Sequence, residues 1–237
     1  MKEIFAARQI EISDRQEQQF QKYYELLVEW NRKINLTAIT EYEEVIWKHF
    51  IDSAFLVCSS ITTPGKKDDT IRILDLGTGA GFPGMVLAIL CPDWQITLVD
   101  SLRKRIDFLQ FVTEELQLEN VRLFHGRAED YGQDEKFRGQ FNFVVSRAVA
   151  ELPILLEYCI PFVKEKGYFV SYKGKRYEEE IQDSRNAFDK LDCELRRVET
   201  YTLSDKEEKR YLLFIQKNHP TDEKYPRKPG KIKKQSL

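Results

Sequence analysis

Apolar and polar positions along this chain follow two successive periods. After Ser13-Asp14-Arg15-Gln16, a capping box, the residues Phe20, Tyr23, Tyr24, Leu27, Trp30 and Ile34 recur at three- and four-residue spacing and predict an amphipathic helix. A second box, Thr40-Glu41-Tyr42-Glu43, precedes Ile46, Phe50, Ala54 and Val57 and predicts a second helix. Residues 59–70 are rich in turn formers and charges and mark a joint. Beyond it, short apolar runs alternate with helical patterns. Strands are expected at 71–76, 95–99, 121–124, 141–146, 167–172, 196–202 and 210–216, and helices at 83–91, 102–117, 152–162 and 175–190.

Alternation of strand and helix through residue 172 implies right-handed parallel βαβ units with a ligand crevice at the carboxyl ends of the strands. The last two strands are separated only by the charged stretch Ser204 to Lys209, so they should form an antiparallel hairpin at a sheet edge. The expected architecture is α/β: a Rossmann-like, seven-stranded, mostly parallel sheet. Its parts are an N-terminal helical extension (1–60), a central domain (70–218) and a C-terminal tail (219–237).

Composition narrows the class. The 237 residues are 42% apolar and 12% aromatic, enough for a packed core. Met-Lys-Glu-Ile-Phe-Ala-Ala-Arg is too charged for a signal peptide, and the apolar run Met85 to Cys91 is too short for a membrane span, so a soluble cytoplasmic protein without membrane contact is expected. Cys58, Cys91, Cys159 and Cys193 are scattered and only three histidines occur, which supports neither a disulfide framework nor a metal site. A monomer is the expectation. Charge is uneven: Lys224, Arg227, Lys228, Lys231, Lys233 and Lys234 crowd the last 14 residues with no acid among them, against 31 basic and 39 acidic residues before them, a formal charge of −8. The tail reads as a basic arm on an acidic body.

The chemistry centres on Ile71 to Gly84, where a strand ending in Asp75-Leu76 runs into Gly77, Gly79 and Gly81. Glycines there let the backbone turn tightly and let a ligand lie on the main chain. Strand two ends in Val99-Asp100, and Asp100, 19 residues after Gly81, is positioned to accept hydrogen bonds from ribose hydroxyls. That geometry serves NAD and S-adenosylmethionine alike. Asp75 discriminates: a carboxylate beside a pyrophosphate costs on the order of 1 to 4 kcal/mol, whereas a sulfonium and an ammonium are attracted to it. After strand three, the Ala128 N–H and the region of Glu129 open onto the same crevice and could hold the adenine edge.

After strand four comes Val145-Ser146-Arg147-Ala148-Val149-Ala150, with neither the acid or amide followed by Pro-Pro-aromatic suited to exocyclic amines nor a cysteine nucleophile. An acceptor with a free lone pair, such as guanine N7, needs no general base, and catalysis reduces to positioning and exclusion of water. Arg147 is the candidate organiser, through guanine O6, phosphate or the cofactor carboxylate. Arg127, Lys173, Lys175 and Arg176 follow the same rim, and with Arg227 and Lys228 of the tail they favour RNA.

Trp30-Asn31, Asn35-Leu36-Thr37, His49-Phe50-Ile51-Asp52-Ser53, the loop from Asp75 through Phe82-Pro83-Gly84, Ser146-Arg147-Ala148 and Tyr225-Pro-Arg-Lys-Pro-Gly230 together resemble the bacterial ribosomal RNA small subunit methyltransferase G family, also called glucose-inhibited division protein B. The resemblance implies a class I S-adenosylmethionine-dependent methyltransferase. It implies transfer to N7 of a guanine at position 527, in the 530 loop of 16S rRNA, within the 30S subunit. It also implies cofactor contacts at Gly77, Phe82, Asp100, Ser101, Leu102, Ala128, Glu129 and Arg147. The competing readings are a dinucleotide-dependent oxidoreductase and a non-catalytic RNA-binding assembly factor.

Overall fold

A computed structural model describes residues 1–62, 70–203 and 208–237. Seven strands form one sheet: β1 (Arg72–Leu76), β2 (Gln95–Asp100), β3 (Val121–His125), β4 (Phe141–Arg147), β5 (Val163–Lys173), β6 (Cys193–Thr202) and β7 (Lys209–Lys217). Their spatial order is β3-β2-β1-β4-β5-β7-β6. β1 to β5 are parallel, while β7 runs antiparallel to both β5 and β6. Each expected strand is present, and the expected hairpin forms the sheet edge. Of the stretch expected to link its strands, residues 204–207 lie outside the described residues, as do 63–69 of the expected joint.

The inner strands are apolar on both sides because both faces are covered. Ile73, Val145, Val170 and Phe214 enter one core, and their neighbours Leu74, Val144, Phe169 and Leu213 enter the other. This is the near-continuous hydrophobic run that a sheet buried on two faces requires.

The first core lies under α1 (Lys2–Ala6), α2 (Asp14–Ile34), a helical segment of mixed pitch and the helices α5 (Gly84–Leu90) and α6 (Arg103–Glu115). The Ser13 capping box forms as expected, with Ser13 Oγ accepting from Gln16 N and the Gln16 side chain accepting from Ser13 N. Gln16 Nε2 also donates to Ile89 O and Leu90 O, and Gln19 Nε2 to Leu116 O, so α2 satisfies carbonyls left open at the ends of α5 and α6.

The second expected helix departs from its pattern. Glu41, not Thr40, precedes α3 (Tyr42–Val45) and makes no side-chain cap; a π-helical stretch follows at Ile46–Ile51, then α4 (Asp52–Ala54). The wider turn buries His49, Phe50, Ile51 and Asp52 together, and such widened turns are frequent at functional sites.

The second core lies under α8 (Leu152–Cys159), α9 (Tyr177–Asp183) and α10 (Arg185–Leu191), with α7 (Ala128–Tyr131) at its edge. The helix expected at 175–190 is split at Ser184, whose buried hydroxyl donates back to Glu180 O. The tail ends in α11 (Pro229–Lys234). It is not a solvated arm: Tyr225 and Leu237 are buried in the second core, Ile232 is fully buried, and Arg138 donates to the carbonyls of Thr221, Asp222 and Tyr225.

Candidate active site

β1 places Asp75 level with Leu98 of β2 and Val145 of β4, at the centre of the sheet and at its carboxyl end. The side chain is fully buried beneath the loop that follows. Its Oδ2 accepts from Thr78 Oγ1 at 2.7 Å and from Gly84 N at 2.8 Å, so one carboxylate oxygen closes the loop from both ends. Oδ1 is buried without a hydrogen-bond partner among the described residues. Burial pushes the carboxyl up to about 6, against the pull of those two hydrogen bonds and of the Arg147 charge.

The glycines of the loop are required by two close approaches. Gly77 has φ +74°, and a Cβ there would stand 2.6 Å from a Val149 methyl; Gly81 has φ +101°, and a Cβ would stand 2.4 Å from the Tyr23 hydroxyl. Tyr23, fully buried on α2, donates that hydroxyl to Ala80 O and stacks on Phe82 at 5.4 Å. The N-terminal helix thus holds the loop in place from behind.

Asp100, only 2% exposed, ends β2 facing the loop. Its Oδ2 accepts from Gly79 N at 2.9 Å and from Arg105 at 3.1 Å, and Oδ1 accepts from Leu102 N at 2.9 Å. A ribose diol approaching this carboxylate would share or replace the Arg105 contact.

A cavity of about 290 Å³ runs along these strand ends, lined by Gly77, Asp100, Ser101, Arg127, Ala128 and Glu129, with Val149, Ile154 and Tyr158 opposite. Tyr158 and Glu129 both line it, and burial together with the nearby Glu129 and Glu157 pushes the Tyr158 phenol up to about 12. A second cavity, about 430 Å³, lies on the other side of the loop after β4, and Ala150 lines both. A larger hollow of about 650 Å³ opens at the opposite end of the sheet, beside Trp94, Gln95 and Asn120, away from the glycine loop.

The second cavity holds Arg147, 14% exposed. Its Nη1 donates to Asp52 Oδ2 at 2.6 Å and to Lys48 O at 2.9 Å, and its Nη2 to His49 Nδ1 at 3.2 Å. Asp52 Oδ1 accepts from Tyr201 at 2.8 Å. Because Nδ1 faces a guanidinium donor, the imidazole carries its proton on Nε2 and gives it to Thr37 Oγ1 at 2.9 Å. Burial, and then the Arg147 charge, push His49 down to about 3. The imidazole stacks on Phe82 at 4.5 Å, and the Arg147 guanidinium sits 5.3 Å from the same ring. Phe82 is therefore a buried partition behind both loops, joined to Pro83 by a cis peptide.

The expected site residues separate into groups. Gly77, Asp100, Ser101, Arg127, Ala128 and Glu129 share the first cavity, while Arg147 and Lys173 line the second. Asp75 and Phe82 lie beneath the glycine loop, Gly79 and Gly81 build it, and Leu102 is exposed at the rim. Two cations expected at the RNA face are turned inward. Lys173, 9% exposed, donates to Glu180 Oε2 at 2.6 Å and Ala150 O at 3.1 Å, and Arg227 grips the buried Glu157. Lys175, Arg176 and Lys228 are exposed. His49, Asp52, Tyr158 and Tyr201 complete the two cavities and were not expected there, nor was Tyr23 expected behind the loop. Only the three-residue spacing of His49 and Asp52 in one motif hinted at a shared face.

The first cavity fits an adenosyl cofactor, with an acid at the ribose position and a backbone cradle, and the loop that bounds it covers the buried Asp75 carboxylate, one oxygen of which has no partner among the described residues. The sheet order with its terminal antiparallel hairpin is the class I S-adenosylmethionine-dependent methyltransferase fold. An S-adenosylmethionine-dependent methyltransferase from Aquifex aeolicus shares it with a TM-score of 0.53 and 14% identity over 74% of this chain and 93% of that one. Aeropyrum pernix fibrillarin, solved with S-adenosyl-L-methionine natively bound, does so with a TM-score of 0.51 and 16% identity over 71% and 75%.

Within that class the chain belongs to the GidB family, rRNA small subunit methyltransferase G, whose model matches residues 16–211. A ribosomal RNA small subunit methyltransferase G from Lactococcus lactis subsp. lactis (strain IL1403) is 49% identical over 93% of this chain and 91% of its own. The protein of the same name from Streptococcus pneumoniae serotype 19F (strain G54) is 43% identical over 99% and 97%. Membership of a methyltransferase family sets aside the oxidoreductase alternative. Among the described residues, no cluster of three or more His, Cys, Asp or Glu could hold a metal, and no helix is long and apolar enough to cross a membrane.

Proposed function

We propose that this protein transfers the methyl group of S-adenosylmethionine to N7 of a guanine in the 530 loop of 16S rRNA, acting on the small ribosomal subunit. The observation that carries this reading is the chemistry of the second cavity, which offers no uncommitted base. His49 is held neutral with both ring nitrogens engaged, Asp52 is committed to Arg147 and Tyr201, Glu180 to Lys173 and the Leu152 N–H, and burial raises the Tyr172 and Tyr201 hydroxyls well above their ordinary range. An amine or hydroxyl acceptor would need to shed a proton there. Guanine N7 attacks through a lone pair and sheds none, so positioning suffices.

The cofactor would supply an electrophilic methyl on a sulfonium. In this reading the glycine loop carries the cofactor on its backbone, Asp100 takes the ribose hydroxyls, and Ala128 N–H with Glu129 takes the adenine edge. Asp75 supplies a counter-charge from below, through Oδ1. Arg147 keeps N–H capacity beyond its bonds to Asp52, Lys48 and His49 and would donate to guanine O6, leaving N7 free for attack. The Asp52 carboxylate and neutral His49 fix its plane. Exposed Arg127, Lys175, Arg176 and Lys228 would contact phosphates.

Incubation with methyl-labelled S-adenosylmethionine and either 30S subunits, bare 16S rRNA or tRNA tests the proposal. Label in 16S rRNA alone supports it; transfer to none of them would leave a non-catalytic RNA-binding factor as the better reading.

A further inference from the structure

The Tyr225-Pro226-Arg227-Lys228-Pro229-Gly230 motif is docked on the body of the protein by Tyr225 and Arg227. In the fold it spans the two elements that wall the adenine end of the first cavity. On one side it holds α7 and the turn after it: Gln133 Nε2 donates to Glu223 O at 3.2 Å and Pro226 O at 3.1 Å, and Arg138 Nη1 bridges Gly132 O at 2.8 Å and Tyr225 O at 2.6 Å. Pro226 packs so closely on Gly132 that a Cβ there would lie 2.7 Å from its ring.

On the other side it holds α8. Glu157 is fully buried, and one Arg227 satisfies it three times: backbone N to Oε1 at 2.8 Å, Nε to Oε1 at 2.8 Å and Nη2 to Oε2 at 2.6 Å. Arg227 Nη2 also donates to Gln235 O at 3.0 Å, tying α11 back onto the same pair. A buried carboxylate paired in this bidentate way fixes position as well as charge.

The held elements carry the site. α7 brings Ala128 and Glu129 to the cavity, and α8 brings Ile154 and Tyr158, the residue next to Glu157. Glu129 of α7 and Tyr158 of α8 line the same opening.

We propose that the C-terminal tail is a strap that sets the adenine subsite, with Arg227 and Glu157 acting as positioning residues for the cofactor rather than Arg227 as a contact for RNA. The strap fixes the separation of α7 and α8, and so the distance across which Glu129 and Tyr158 meet the base. This rests on the S-adenosylmethionine reading of the first cavity.

The test compares Arg227→Ala, Glu157→Gln and Lys228→Ala in the full chain, reading Kd by calorimetry for S-adenosylhomocysteine, for 5′-methylthioadenosine and for 16S rRNA. Arg227→Ala is expected to weaken S-adenosylhomocysteine by about tenfold, the factor of one lost hydrogen bond, and 5′-methylthioadenosine by the same factor, because the loss lies at the base. Glu157→Gln keeps shape and packing and should lose less in the same direction, which covers the case in which Arg227→Ala does not fold. Lys228→Ala, one residue on and exposed, should leave both small-ligand constants unchanged. A purely structural tail would lower the melting temperature of Arg227→Ala without moving either constant, and that result, or a loss confined to RNA, overturns the proposal. If the unaltered protein binds neither nucleoside, the cofactor reading itself fails.

Discussion

Asp75 yields a prediction whose size follows from its surroundings. Its carboxyl is raised to about 6 by burial, so lowering the pH from 7 to 5 takes it from about nine-tenths ionised to about one-tenth. A cationic ligand binds the ionised form, and the apparent dissociation constant scales inversely with the competent fraction. S-adenosylmethionine should therefore bind about tenfold more weakly at pH 5 than at pH 7, about 1.4 kcal/mol. His49 sits near 3 and does not change charge in this window.

Linkage fixes a second sign. A folded carboxyl above its unfolded value of 3.8 binds a proton more tightly when folded, so the cofactor-free protein carries no penalty from Asp75 below about 4 and the full penalty, on the order of 3 kcal/mol, above about 6. Bound positive charge should relieve that penalty, and the stabilisation given by saturating cofactor should be larger at pH 7 than at pH 5. The assay is calorimetric titration from pH 5 to 7, with Asp75→Asn as reference, which should bind weakly with a flat profile. A flat profile for the unaltered protein, or the same slope in Asp75→Asn, would refute the reasoning.

Other outcomes follow from single contacts. Asp100→Ala should weaken cofactor binding by about 1.5 to 3 kcal/mol, measured by calorimetry, because ribose hydroxyls lose a charged acceptor. Arg147→Lys should depress methyl transfer while leaving the cofactor dissociation constant within about twofold, since Arg147 lines the second cavity and loses its planar fork on substitution; the two constants measured side by side check this. Tyr23→Phe should destabilise the fold by about 1 to 3 kcal/mol in urea titrations, because it strands the Ala80 carbonyl behind the glycine loop. Lys228→Ala should flatten the salt dependence of RNA binding by about one phosphate contact in filter-binding titrations, and an unchanged slope would remove the tail from the RNA interface.

The strands and the glycine loop were readable from sequence because they depend on local pattern: two-sided apolar runs, and glycines at positive φ. The Ser13 cap was readable for the same reason, its partner Gln16 being three residues away. What escaped depends on partners distant in the chain. Thr40 looked like a cap, yet the segment after it follows Arg147, which ties Lys48 O, His49 and Asp52 from 95 to 99 positions away. Arg227 looked like a solvent-facing cation, and only the fold brings Glu157 to it across 70 positions; Lys173 meets Glu180 seven residues on, through a turn between β5 and α9 that its charged sequence did not reveal. Tyr23 counted as one more apolar position of a helical stripe, because its hydroxyl meets Ala80 only when α2 lies on the loop. In the tail, charge masked the apolar positions Tyr225, Ile232 and Leu237 that dock it.

The most direct measurement is to locate the transferred methyl group on its nucleotide. After reaction of 30S subunits with the protein and S-adenosylmethionine, 16S rRNA is digested and analysed by mass spectrometry, and parallel samples are reduced with borohydride and cleaved with aniline, which breaks the strand at 7-methylguanosine. One new 7-methylguanosine and one cleavage within the 530 loop are expected. A methyl group on an exocyclic amine, a ring carbon or a ribose, or no incorporation into rRNA, would contradict a site built without an uncommitted base.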